Sequence, residues 1–160
     1  MHKIRHLPKL GTQISFEAYI FCDKRVGSVA EWQRQIDDPG FSVHIVSSRD
    51  LASSKGHLPA TWQDREVGFE FGPIDREDVI NTCDDVDLGG PWLHAFALYW
   101  NTLPGFVGAW VCAAAYAKAV NGIVFDPQES LVLWPDAAVR HAQSAIDTLP
   151  QIEMSLSKSK

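Results

Sequence analysis

His94 and Asp126 are the residues of this chain whose types and settings could do chemistry. His94 sits in the apolar run WLHAFALYW, where burial displaces an imidazole's proton affinity and calls for a partner. Asp126 closes the burst IVFD just before Pro127, and a carboxylate at the end of a buried strand can serve as a general acid or base. Brought within about 2.6–3.2 Å of each other, the two would make a small catalytic pair in a cleft between sheet and helix. A plainer reading competes for each. His94 reads first as a satisfied core or sheet-face histidine, and an Asp before Pro is held extended, where its side chain accepts N–H bonds from the following turn.

No other constellation carries a catalytic pattern. His2, His6, His44, His57 and His141 are not paired by spacing, and H-E-x-x-H, G-x-S-x-G, the P-loop and G-x-G-x-x-G are all missing from the sequence. Cys22, Cys83 and Cys112 are far apart, with no C-x-x-C or zinc spacing, and read as reduced thiols of a cytoplasmic protein. The expectation is a non-enzyme with no metal and no cofactor.

Charge says more. The formal net charge is -6, and between Asp64 and Asp87 nine acidic residues face two arginines, a local net of -7. Such a surface repels phosphate backbones and favours cationic partners, so nucleic acid is excluded as a ligand and a basic protein is favoured. Solvation of a loop is the bland alternative. Among six tryptophans, Trp62 lies in a polar stretch just before this run and reads as an exposed interface anchor. The candidate contacts are therefore Trp62, Asp64, Glu66, Glu70, Asp75, Glu77, Asp78, Asp84, Asp85 and Asp87.

The elements that must position these residues follow from pattern. Residues 1–13 form a basic arm without the apolar core of a signal peptide, 14–150 a single domain, and 151–160 a flexible tail. SFEAYIFC reads as an interior strand with Glu17 the exception, and Ser28 with Glu31 makes a capping box for the helix SVAEWQRQIDD. FSVHIVSS and REVGFEF alternate as strands, with the polar stretch RDLASSKGHLPATWQD between them as a surface loop. A short helix is expected over 75–83, a strand over 92–102, and a long helix over 105–120 with one broad apolar face and Gly122 as its left-handed cap. IVFDP, an edge strand LVLW and a terminal helix from Pro135 complete the chain. No stretch reads as a membrane span, since 92–120 is interrupted by Asn101, Pro104 and Gly105. The order predicts an α+β fold: a mostly antiparallel sheet of about five strands with helices packed chiefly on one face, a ferredoxin-like variant.

The segment DLASSKGHLPATWQDREVGFEF, followed by AAAYAKAVNGIVFDPQES, resembles small bacterial domains found beside polymorphic or secreted toxins. Gly56, Leu58, Pro59, Glu66, Gly68, Phe69, Glu70, Gly122, Val124, Asp126, Pro127 and Gln128 carry the match over roughly residues 15–140, while Asn121 departs from a glycine. The resemblance implies an immunity protein that binds and neutralises a cognate toxin in the bacterial cytoplasm. An acidic inhibitor suits a cationic toxin site. The alternatives are a small enzyme using His94 and Asp126, or a non-catalytic regulatory or scaffold subunit.

Overall fold

Six consecutive buried positions in Phe16–Cys22 leave that segment no place except the middle of a sheet. The computed structural model describes residues 9–10, 13–14, 16–47, 50–51 and 55–158. The arm read over 1–13 lies outside them, apart from the paired strands β1 (Lys9–Leu10) and β2 (Gln13–Ile14). The remaining elements are β3 (Phe16–Cys22), α1 (Val29–Asp37), β4 (His44–Ile45), β5 (Gly56–Leu58), β6 (Ala60–Trp62), β7 (Arg65–Glu66), β8 (Phe69–Pro73), α2 (Arg76–Thr82), β9 (His94–Trp100), α3 (Leu103–Val120), β10 (Ile123–Asp126), β11 (Leu131–Leu133) and α4 (Pro135–Lys158).

The main sheet has six strands, in the order β11-β10-β3-β9-β8-β5, with every neighbouring pair antiparallel. Strands β3 and β8 thus run parallel with β9 between them, and β9 and β10 run parallel with β3 between them. A second, three-stranded sheet, β4-β6-β7, was not expected. The stretch read as surface loop supplies β5 and β6, and FSVHIVSS is reduced to His44–Ile45. REVGFEF splits at Val67–Gly68 into β7 and β8, which belong to different sheets. Pro59, without an N–H, separates β5 from β6, so the chain leaves one ladder there and enters the other. Alternation alone cannot show such a switch, because it reports which face is buried and not which sheet the strand joins.

The strand period sorts the sheet into two faces. Ala18, Ile20, Cys22, Phe96, Leu98, Trp100 and Val124 point to α3; Tyr19, Phe21, Ala95, Ala97, Ile123 and Phe125 point to the layer made by α2 and the segment after it. Helix α3 lies against the first face and is covered in turn by α1, α4 and the small sheet, so twelve of its eighteen residues are buried. It is apolar all round, not on one broad face, as a helix enclosed on every side must be. By length and composition α3 could cross a membrane, contrary to the reading of 92–120, yet its apolar residues are spent on packing inside the fold. Trp32 of α1 docks on it, donating Nε1–H to the Cys112 carbonyl at 2.8 Å and meeting Phe71 and Tyr116 with ring centres 5.0 and 5.1 Å away.

Both ends of α3 are fixed locally. Thr102 accepts the Gly105 N–H at 3.0 Å as the N-cap, as Ser28 does for Glu31 in α1 at 3.1 Å. At the C-terminus the left-handed residue is Asn121, with φ 54° and ψ 43°, not Gly122. Asn is one of the few residues that tolerate this region. Gly122 is required for another reason: a Cβ there would stand 2.4 Å from the Phe21 carbonyl oxygen on β3. Helix α4 also runs further than expected, through Pro150 to Lys158, where the sequence suggested a tail. Its extension is held by a bidentate pair from Arg65 of β7 to Glu153, the longer contact 2.9 Å.

Candidate functional site

The amphipathic pattern of α2 and the following loop decides where the acidic residues go. Val79, Cys83, Leu88 and Trp92 turn inward onto Tyr19, Phe21, Ile123 and Phe125. Glu77 and Asp78, just before these positions, and Asp84, Asp85 and Asp87, between them, consequently face solvent. Two acids are also tied to backbone: Asp75, the N-cap of α2, accepts the Glu77 N–H at 3.0 Å, and Asp87 accepts the Gly89 N–H at 2.9 Å. Arg76 pins the loop by donating to the Trp92 and Leu93 carbonyls at 2.7 and 3.1 Å. Six candidate carboxylates, Asp75, Glu77, Asp78, Asp84, Asp85 and Asp87, are therefore presented by one layer on one face of the sheet.

The other candidates separate from this group. Glu66 and Glu70 flank His57, at 3.7 and 3.3 Å, near the β5 edge. Asp64 occupies the β6–β7 turn with φ 61°. Trp62 is no surface anchor: it is 4% exposed and belongs to the core under the small sheet. The polarity of its neighbours misled, because β6 is a strand whose alternate residues, Ala60 and Trp62, point inward.

The tryptophan that does reach solvent is Trp134, 45% exposed, between β11 and α4. It rests on the acidic loop, with its ring 5.8 Å from that of Trp92. A Cβ on Gly89, which has φ 88°, would stand 2.8 Å from the Trp134 ring. Beside Trp92, Leu93 is 65% exposed. An aromatic anchor and an exposed leucine thus adjoin the carboxylate-bearing layer. The signal for Trp134 was its place directly before Pro135, at the end of an edge strand and outside any helix.

Beneath α2, the one charged residue of β3 is fully buried. Burial first, then the charge of the nearby Glu17 carboxylate, holds the Tyr19 hydroxyl far above its ordinary proton affinity. The same two causes raise Tyr99, which stands on β9 opposite Glu17. The three buried thiols are also raised, all first by desolvation, Cys22 to about 12. Thiols so raised are poor nucleophiles.

His94 and Asp126 are not brought together. Both project to the α3 side, but His94 is in register with Cys22, while Val124 is opposite Ile20, so Asp126 falls beyond Tyr19 toward the other end of β3. One strand and about 13 Å of strand length separate them. His94 lines a shallow depression with Arg25, Asp75, Arg76 and Glu77 instead.

Asp126 opens into a different cleft of about 470 Å³, between the strand ends, the start of α3 and α4. Its walls are Phe16, Trp100, Leu103, Phe106, Trp110 and Ile152, and its polar lining includes Asn101, Gln128, Glu129 and His141. The His141 ring lies 4.3 Å from that of Trp110. Asp126 is 5% exposed and forms the turn expected of it, accepting the Gln128 N–H at 3.0 Å. The Gln128 side-chain amide, oriented to suit its neighbours, donates to Asp126 at 2.9 Å and to the Glu17 carbonyl at 3.1 Å. Burial pushes the Asp126 carboxyl above its ordinary range, partly offset by the main-chain N–H groups of Gln128 and Glu129 and by His141.

A carboxyl raised in the folded state stabilises the fold fully below the unfolded value of 3.8 and loses that contribution as pH rises through the folded value. Asp126→Asn keeps the turn's acceptor and removes the buried charge. The variant is expected to match or exceed the native protein in urea midpoint at neutral pH, and to lose any advantage in acid. A lower midpoint at neutral pH alone would show that the charge itself stabilises. Among the described residues no group of His, Cys, Asp and Glu is arranged to hold a metal ion. Comparison with family models, curated proteins and solved structures finds no match to this chain or its fold.

Proposed function

We propose that this chain is a binding module of the immunity type, which neutralises a cognate basic toxin in the bacterial cytoplasm by docking the α2 layer on it. The observation that carries the reading is Trp134: an exposed aromatic seated on the acidic loop, beside Leu93 and next to six carboxylates. Interfaces place their energy in such aromatic anchors, while surrounding charges govern encounter and register. That the partner is a toxin rests on the resemblance carried by the G-x-L-P, E-x-G-F-E and V-x-D-P-Q segments. The four inner strands, in the order β10-β3-β9-β8, support reading the sheet as a ferredoxin-like variant with an added strand on each edge.

The test is growth and affinity together. Expressing the toxin domain encoded beside this gene should arrest cells, and co-expressing this chain should restore them. Trp134→Ala should weaken binding about thirtyfold or more, the loss of about 2 kcal/mol typical of an aromatic anchor, with an unchanged thermal midpoint. Arrest that this chain does not relieve refutes the toxin reading. Binding untouched by Trp134→Ala moves the interface elsewhere.

A further inference from the structure

We propose that the cleft beside Asp126 is a binding site for a small organic cation with a flat apolar body, such as a protonated aromatic amine. This site lies on the α3 side of the sheet and is independent of the α2 face.

Three features of the cleft choose this ligand. The first is shape and surface: about 470 Å³ walled mainly by aromatic and aliphatic side chains, the size and character of a small-molecule pocket. The second is sign of charge. Asp126 and Glu129 line the cleft and, among the described residues, no lysine or arginine does, so a positive group is favoured, and the aromatic side chains of Trp100 and Trp110 in its wall add to that preference. The third is valence. A carboxylate accepts about four hydrogen bonds, and among the described residues the donors to Asp126 are the Gln128 main chain, the Gln128 amide and the Glu129 main chain. One acceptor position remains for an ammonium N–H, set in a low-dielectric wall where a charge-assisted bond is strong. The turn that binds these donors also fixes the carboxylate in place before any ligand arrives, which lowers the ordering cost of binding.

The experiment is calorimetric titration of the intact chain with phenethylamine, phenethyl alcohol and phenylacetate at pH about 8, where the free amine is protonated and the free acid ionised. The amine is expected to bind about tenfold or more tightly than the alcohol, with the acid weakest, as a hydrogen bond between charged groups requires. Asp126→Asn, which retains the turn acceptor, should bring the amine down to the alcohol's affinity and leave the alcohol unchanged. Leu103→Trp, placed on the cleft wall in the first turn of α3, should abolish uptake of all three and serves where Asp126→Asn fails to fold. Equal affinity for amine and alcohol in the native protein, an amine preference that survives Asp126→Asn, uptake that survives Leu103→Trp, or no uptake of any probe at millimolar concentration would each overturn the assignment.

Discussion

Reversing Asp84, Asp85 and Asp87 to lysine is expected to slow association with a basic partner by about ten- to a thousandfold at low salt, the range over which electrostatic steering acts. Each reversal changes the charge by two, so three take the segment Asp64–Asp87 from a net of -7 to -1. The carboxylates stand on the solvent side of a layer whose other side is anchored by Leu88 and Trp92 in the core, so the fold survives the change. Asp87 accepts the Gly89 N–H, and the Asp84→Lys, Asp85→Lys pair, which leaves that bond in place, serves as the control for it. Because exposed charges are screened over about 10 Å at 0.1 M salt, the native protein's association rate should fall steeply as salt rises, and the variant's should not. Stopped-flow association at several ionic strengths reads this directly. An unchanged rate with an unchanged salt slope would remove the α2 layer as the docking face.

Gly108→Ala is expected to destabilise the protein by about 3 kcal/mol or more, at or beyond the upper end of the usual range for overpacking a core. The new methyl carbon would stand 1.9 Å from the Val67 carbonyl oxygen and 2.9 Å from its carbon. Neither atom can rotate away, because both belong to the backbone where β7 gives way to β8, and Val67 donates its own N–H to the Ala60 carbonyl at 2.8 Å. Helix α3 cannot retreat either, since Val107, Trp110 and Val111 around the glycine are buried against other elements. Gly72→Ala is the matched control: its methyl would meet mainly the Lys55 side chain, at 3.3 Å, which can move. It should change stability by less than about 1 kcal/mol. Urea unfolding of the three proteins distinguishes them, and a Gly108→Ala protein as stable as the control would mean that the contact between α3 and the small sheet is not tight.

The residues most legible in the sequence were those whose role is settled by their near neighbours. Ser28 and Asp126 do what their types and positions promised, one as a helix cap and one as a turn former. Cys22, Cys83 and Cys112 are free thiols as read. Asn121 and Gly122 were half legible: a left-handed stop at this point was foreseen, but which residue takes it depends on Phe21, a hundred positions away in the chain, whose carbonyl leaves no room for a side chain at Gly122.

What depended on long-range packing was read poorly. Trp62 and Trp134 exchanged roles because polarity of neighbours does not reveal which sheet a short strand joins, or which loop an exposed ring will cover. His94 and Asp126 lie in different depressions because register, which sets them about 13 Å apart along the strands, is fixed by strand pairing and leaves no mark in either segment alone. The partner His141 could not be foreseen for Asp126 for the same reason: α4 crosses α3, and that crossing sets His141 over Trp110 at the cleft. By itself, then, the sequence determined the caps, the turns, the interior strand, the acidic charge of one segment and the α+β class, since these follow from propensity, period and charge within a few residues. Only the tertiary structure decided the six-stranded order, the second sheet, the enclosure of α3 and the grouping of side chains into an acidic face and an aromatic cleft, because each of these is a contact between segments whose local physics is silent about one another.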